Sequence, residues 1–237
     1  QPRCLTLGGK INYVAQFTRP DICAALSFAM RHVSGANEAV YNALLRIVSY
    51  LGHTANYKIH YGPGYHDKLR AHIVECAKDL PVDPWKDFDV FFITDASHGG
   101  PKPMQCSFGM VYGAPFSWRI GRLQLTSLSS CEAEWFAATT AAVYIQAYED
   151  LFQFIEAGIA MPIIIICDNA GAVDLSDNDS TTKHMKHVVT KLSFLQESSE
   201  HGRSLLYWAK NDCMVADIGT KVLSPTPFHR HREHLVW

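Results

Sequence analysis

The stretch from Asp87 to Ser97 reads DFDVFFITDAS, and its first eight residues, Asp87 to Thr94, are dense in the aromatic and β-branched side chains that favour strands. Two further short runs of the same character follow, Ser107 to Tyr112 and Phe116 to Ile120, separated by Gly113-Ala114-Pro115. Three strands this closely spaced imply an antiparallel meander. The pattern then changes period. From Ser130 to about Ile155 a long helix is expected, with Phe136, Val143, Ala147 and Leu151 as an apolar stripe interrupted only by Thr140. Pro162 to Cys167 is a short continuous apolar run, suited to a central strand covered on both faces. Lys183 to Ser199 reads as a helix, Leu205 to Ala209 as a strand and Met214 to Lys221 as a last short helix. The order β-β-β-α-β-α-β-α describes an α/β fold: a mixed five-stranded sheet flanked by helices.

Upstream of this block the chain is helical in pattern. Pro20-Asp21 opens a segment running to about Val33, and after the Ser34 to Asn37 break Val40, Leu44, Leu45, Val48 and Leu51 recur at helical spacing over Glu38 to Leu51. Two such helices bury little alone, so the rest of the chain or a further domain must cover them. Gly62 to Trp85 is rich in Gly, Pro, His and charge and reads as a linker with one helical piece near Leu69 to Leu80. The expected divisions are therefore a helical segment over 1–60, a linker over 61–85, the sheet-containing domain over 86–225 and a tail over 226–237.

With 237 residues, 48% of them apolar and 19% charged, the chain can bury a full core. Its longest apolar stretch, Ala160 to Cys167, is too short for a bilayer and contains a proline, so no membrane partner is expected. The opening Gln-Pro-Arg-Cys has no leader-like pattern and reads as the start of an internal fragment. Seven cysteines, scattered and never in a CxxC pair, argue against a zinc site or a disulfide framework and for a reducing, cytoplasmic setting. A net charge of −2 means that any nucleic-acid surface is local, because phosphate contacts come from basic groups.

Four acidic residues stand where chemistry is expected. Asp95 closes the first strand and Asp168 the buried one, and side chains just past strand ends in an open sheet converge on one edge. Glu134 and Asp217 lie on helices that would pack against that edge. Helix geometry separates Glu134 from its neighbour Glu132. Ser129 and Glu132 fit a capping box, with Glu132 reaching back to the N-cap backbone, whereas Glu134 lies about 200° further round the helix. The small residues Ala137, Ala138 and Ala141 after Glu134 would let that face approach the sheet. Clustered carboxylates repel one another unless cations neutralise them, and oxygen-only ligands select two Mg²⁺ or Mn²⁺ over zinc.

At these residues the sequence resembles a known family. Leu128 to Trp135 (LSSCEAEW) is similar to the LSSxEAEY segment of copia-type retrotransposon Pol polyproteins, Ala114 to Trp118 to its APISW, Cys167-Asp168-Asn169 to its CDN, Thr182-Lys183-His184 to its TKH and Ala216 to Lys221 to its ADILTK. Leu7 to Tyr13 and Thr18 to Ile22 resemble the end of that family's reverse transcriptase. The resemblance implies the ribonuclease H fold, and with it hydrolysis of the RNA strand of RNA/DNA hybrids by two metal ions during reverse transcription. It implies a quartet at Asp95, Glu134, Asp168 and Asp217, an upstream reverse transcriptase domain as partner, and a cytoplasmic or virus-like-particle location. One departure stands out: many ribonucleases H carry a histidine in the loop before the last aspartate, and here that loop is Lys210-Asn211-Asp212-Cys213.

Lys183 and His184, together with Arg119 and Arg122, are candidates for binding the substrate, and Lys186 and Lys221 add to the local basic set. His184 is also the residue that could stand in for the missing loop histidine. Trp118 and Trp135 read as core, and His229 to Arg232 as a solvated tail. Two other functions compete with hybrid cleavage: a domesticated, non-cleaving module of the same fold that binds nucleic acid or protein, and another nuclease or integrase of the same superfold. The match of residues 1–53 to a reverse-transcriptase end argues against the second.

Overall fold

The computed structural model describes residues 1–77, 90–99, 103–123, 127–177 and 189–237. Its centre is β1 (Val90–Ala96), buried along its whole length. β2 (Met104–Val111) and β3 (Ala114–Arg122) follow as antiparallel neighbours, while β4 (Ile163–Cys167) and β5 (Ser204–Trp208) run parallel to β1, giving the order β3-β2-β1-β4-β5. This is the mixed five-stranded sheet flanked by helices that the sequence implies. The meander turns at Tyr112-Gly113, both with positive φ (47° and 79°), which is the two-residue hairpin geometry that matches strand twist. Pro115, expected in the turn, instead lies inside β3, where an edge strand tolerates a missing N–H.

A parallel step from β1 to β4 needs a crossover, and the long helix α5 (Ser130–Phe154) supplies it. Its buried stripe is Trp135, Ala138, Ala141, Ala142 and Ile145, packed on Phe92, Ile163 and Ile165. The expected stripe is out of phase. Of its members Phe136 is buried, but Val143 and Leu151 are 51% and 47% exposed, because the sheet packs on the side that carries Trp135 and the alanines. Trp135 is core, as expected; Trp118 is half-buried and donates its indole N–H to Ala15 O at 2.9 Å. The helices α6 (Ala170–Asp177) and α7 (Val189–Glu200) complete this face.

The opposite face, with Phe91, Ile93, Cys106 and Phe108, is covered by α4 (Pro63–Cys76) through Leu69 and Ile73 and by the end of the chain through Leu235 and Val236. Between them lie a 3-10 turn (Asn211–Cys213) and the one-turn helix α8 (Asp217–Thr220). The last residues are no solvated tail. Helix α9 (Pro225–Arg232) buries His231 and Arg232, and Trp237 exchanges two backbone hydrogen bonds with Lys58 (3.0 and 3.2 Å). The cysteine spacing also misled. Cys76 and Cys213, 137 residues apart, meet as a disulfide with Cα atoms 5.9 Å apart, a pairing that only the tertiary fold brings about.

The N-terminal helices α1 (Pro2–Phe17), α2 (Cys23–Met30) and α3 (Glu38–His53) share a core of Cys4, Ile11, Leu26 and Leu44 that also touches Trp118 and Ile120 of β3. Helix α1 lies within the helical segment expected over 1–60, where no separate helix was placed. Gly8 permits its close packing, since a Cβ there would collide with the Met30 side chain. Buried Arg19 grips Asp21 through two nitrogens (2.9 and 2.8 Å) and Thr54 O at 3.0 Å, tying the α1–α2 link to the end of α3.

Candidate metal and nucleic-acid site

β1 and β4 pair in parallel register with Ile93 opposite Ile166, so two residues further along each chain Asp95 and Asp168 arrive side by side at the same sheet edge. The indole N–H of Trp208, last residue of β5, donates to Asp168 O at 3.0 Å and fixes the backbone there. Glu134 comes from the first turns of α5, where Ser129 caps the helix by accepting from Glu132 N–H at 3.1 Å. One Glu134 oxygen, Oε1, accepts from Ala96 N–H at 2.8 Å, which anchors the carboxylate beside Asp95. The other, Oε2, is buried with no hydrogen-bond partner.

Glu132 faces away from this cluster. Its Oε2 accepts from Leu128 N–H at 2.5 Å, one residue upstream of the contact expected of a capping box. The two glutamates therefore divide as the helix phase predicts.

Carboxylate oxygens of Asp95, Glu134 and Asp168 lie within 4.8 Å of one another. Asp217, at the start of α8, joins them through Lys221, whose ammonium donates to Asp217 Oδ1 at 2.6 Å and stands 3.4 Å from Asp95 Oδ1. The Thr220 hydroxyl donates to the other oxygen of Asp95. Helix α8 approaches this closely because Gly219 rests on Cys106; a Cβ there would lie 2.7 Å from the Cys106 Cβ.

The electrostatics follow from burial and crowding. Desolvation, then the neighbouring charges of Asp95 and Asp168, push the Glu134 carboxyl well above its ordinary range. Burial and Asp95 likewise raise Asp168 and Asp217. Burial opposes the charge on Lys221, but Asp95 and Asp217 outweigh it and hold the ammonium protonated.

These residues fit a hard divalent cation. The donor set is oxygen only, three carboxylates already converge, and a buried Glu134 oxygen lacks the partner its burial demands.

The other sequence candidates are not brought into the cluster. Arg119 and Arg122 lie exposed on β3, the outermost strand on that side, two strands from β1. Lys183, His184 and Lys186 lie outside the described residues. Thr220 was missed by sequence reasoning, although it sits in the same Asp217 to Lys221 stretch; Lys221 was counted only among nearby basic residues, and its place between two carboxylates depends on the turn of α8.

The sequence was compared with those of known proteins. Its homologues are retrovirus-related Pol polyproteins. The polyprotein from transposon RE1 of Arabidopsis thaliana is 28% identical over 224 residues, covering 93% of this chain and 14% of its own length. That from transposon RE2 of the same plant is 25% identical over 221 residues, with the same shares. The polyprotein from transposon TNT 1-94 of Nicotiana tabacum is 24% identical over 226 residues, 95% of this chain and 16% of its own. The chain thus spans about a seventh of the length of the first two Pol polyproteins. All three are Pol polyproteins of copia-type transposons, the kind of polyprotein that the sequence motifs resemble. No protein-family model matches.

Among solved structures, a compost-derived RNase H1 aligns with TM-score 0.41 at 15% identity over 56% of this chain and 92% of its own. The same enzyme in complex with RNA/DNA hybrid gives TM-score 0.38 at 16% identity over 55% and 93%. The N-terminal RNase H domain of a Mycobacterium tuberculosis protein gives 0.39 at 14% over 61% and 97%.

Proposed function

We propose that the chain is a metal-dependent ribonuclease H that cuts the RNA strand of RNA/DNA hybrids, as one part of a transposon Pol polyprotein. The observation that carries this reading is the convergence of Asp95, Glu134 and Asp168 at one sheet edge, with Asp217 joined to them through Lys221. Unneutralised, such a cluster costs stability, and its buried Glu134 oxygen has no other use. Two Mg²⁺ or Mn²⁺ ions held by these four side chains would supply an activated water and charge compensation for an in-line phosphodiester displacement. The chain's own part is to hold the site rigidly: Ala96 N–H orients the Glu134 carboxylate, the Trp208 indole holds the Asp168 backbone, and Thr220 and Lys221 orient Asp95 and Asp217. Arg119 and Arg122, with Lys183 and His184, are the proposed contacts to the hybrid's backbone. An upstream reverse transcriptase in the same polyprotein is the proposed partner.

One observation favours a second reading, a module of this fold that binds without cutting. Lys221 already places a positive charge between Asp95 and Asp217. Incubating the purified chain with labelled RNA/DNA hybrid, DNA duplex and RNA duplex, with and without magnesium, decides between them. Magnesium-dependent cleavage of the RNA strand of the hybrid alone is expected. Tight hybrid binding with no cleavage at any metal concentration would establish the second reading instead.

A further inference from the structure

A second cluster of metal-ligating side chains lies apart from the carboxylates. His72 and Cys76 are one turn apart on a single face of α4, Cys213 closes the 3-10 turn before α8, and donor atoms of all three lie within 4.8 Å of one another. A tetrahedral zinc with bonds of about 2.0–2.3 Å needs its ligand atoms about this close. Two histidines from the end of the chain stand beside them. The His234 ring stacks on that of His72 with centroids 4.6 Å apart, and His231 is buried with its Nδ1 unpartnered. The His72 Nε2 is likewise buried without a partner.

We propose that, when Cys76 and Cys213 are reduced, they and His72 bind one zinc ion, with His234 or His231 as the fourth ligand, clamping α4 and the chain's end to the turn that leads into Asp217.

A disulfide between the two cysteines leaves His72 Nε2 and His231 Nδ1 buried and unused, whereas a metal employs an imidazole nitrogen as well as both sulfurs. Thiolate and imidazole together select a borderline-soft ion such as Zn²⁺ over the hard cations suited to the carboxylates. The clamp is local to the site already described, because Cys213 is four residues before Asp217 and Lys210 N–H donates to Cys76 O at 3.2 Å.

The test uses the full chain, expressed with zinc and purified under a thiol reductant, with metal content measured by mass spectrometry and zinc exchanged for Co²⁺. One zinc per chain is expected, and the cobalt form should show the thiolate charge-transfer absorption that carboxylate ligation cannot give. Cys213→Ser should abolish that absorption, His72→Ala should weaken zinc binding at least about tenfold, and one of His231→Ala or His234→Ala should do the same. The wild-type cobalt spectrum keeps the test independent of how well the variants fold. A reduced chain that carries no zinc and gives no thiolate–cobalt absorption would overturn the proposal, as would a purified chain two hydrogens lighter than its sequence that zinc cannot compete with under reductant.

Discussion

Glu132 and Glu134 are two residues apart and both buried, but Glu134 accepts from Ala96 N–H beside Asp95 whereas Glu132 accepts from Leu128 N–H. Glu134→Gln keeps the shape and the helix propensity but removes a charge from the carboxylate cluster, so hybrid cleavage should fall by several orders of magnitude with little change in melting temperature. Glu132→Gln should be nearly silent, since its amide oxygen can still accept from Leu128 N–H. Glu132→Ala should cost about 0.5–2 kcal/mol, as a lost cap does, and leave the cleavage rate intact. A melting curve and a rate for each variant check this, and a wild-type rate in Glu134→Gln would move the chemistry elsewhere. Asp168 gives a pH-dependent counterpart. Its folded pKa is raised by burial and Asp95, so its contribution to stability is present below the ordinary carboxylate range and is lost as pH rises through the folded value. In chelator, Asp168→Asn should therefore melt higher than wild type, by more at about pH 8 than at about pH 5, and magnesium should raise the wild type but not the variant. An equal gap at both pH values would show that Asp168 feels no crowding.

Among the elements, those fixed by local pattern were legible and those fixed by packing were not. The strand ends at Asp95 and Asp168, the cap at Ser129 and the helix over Glu38 to His53 follow from residue type and spacing alone. The buried side of α5 did not, because apolar residues occur round the helix, Val143 and Leu151 on one side and Trp135 with the sheet-facing alanines on another, and only sheet proximity decides between them. The extent of α8 was overestimated at its start, where Met214 to Ala216 precede the single turn, and that turn docks on β2 with Gly219 against Cys106. That docking is testable at Gly219. Gly219→Ala would drive a methyl into Cys106 and Ile120, so α8 must retreat and carry Asp217 with it. We expect a loss of about 1–3 kcal/mol, typical of overpacking, and a drop in hybrid cleavage larger than the unfolded fraction explains. An unchanged rate and melting temperature would mean that α8 has room to spare.

Across the whole molecule, long-range closure was the part no local pattern could reveal. His229 to Arg232 looks like a charged tail because its cover comes from Tyr57, which donates no sequence signal near residue 230; Arg232 hydrogen-bonds the Tyr57 hydroxyl at 3.1 Å. The three N-terminal helices are likewise held as a unit by a network that starts at one residue. Arg19→Met would leave Asp21 buried opposite nothing but the Tyr50 hydroxyl. Breaking a buried pair in this way costs about 3–5 kcal/mol. Hydrogen exchange should then show α1–α3 opening before the five-stranded sheet, and uniform exchange across the chain would mean that the two parts unfold as one.

The acidic cluster draws on Asp95, Glu134, Asp168 and Asp217 in that order along the chain, and its last member is preceded by every strand of the sheet. A ribosome adding about 5–20 residues per second needs roughly 6–24 s to pass from Asp95 to Asp217. Throughout that interval the nascent polypeptide holds an incomplete set of these carboxylates. The closing hydrogen bonds between Lys58 and Trp237 wait longer still. Translation itself is thus a timer, delivering the last carboxylate only after every strand of the sheet has been made.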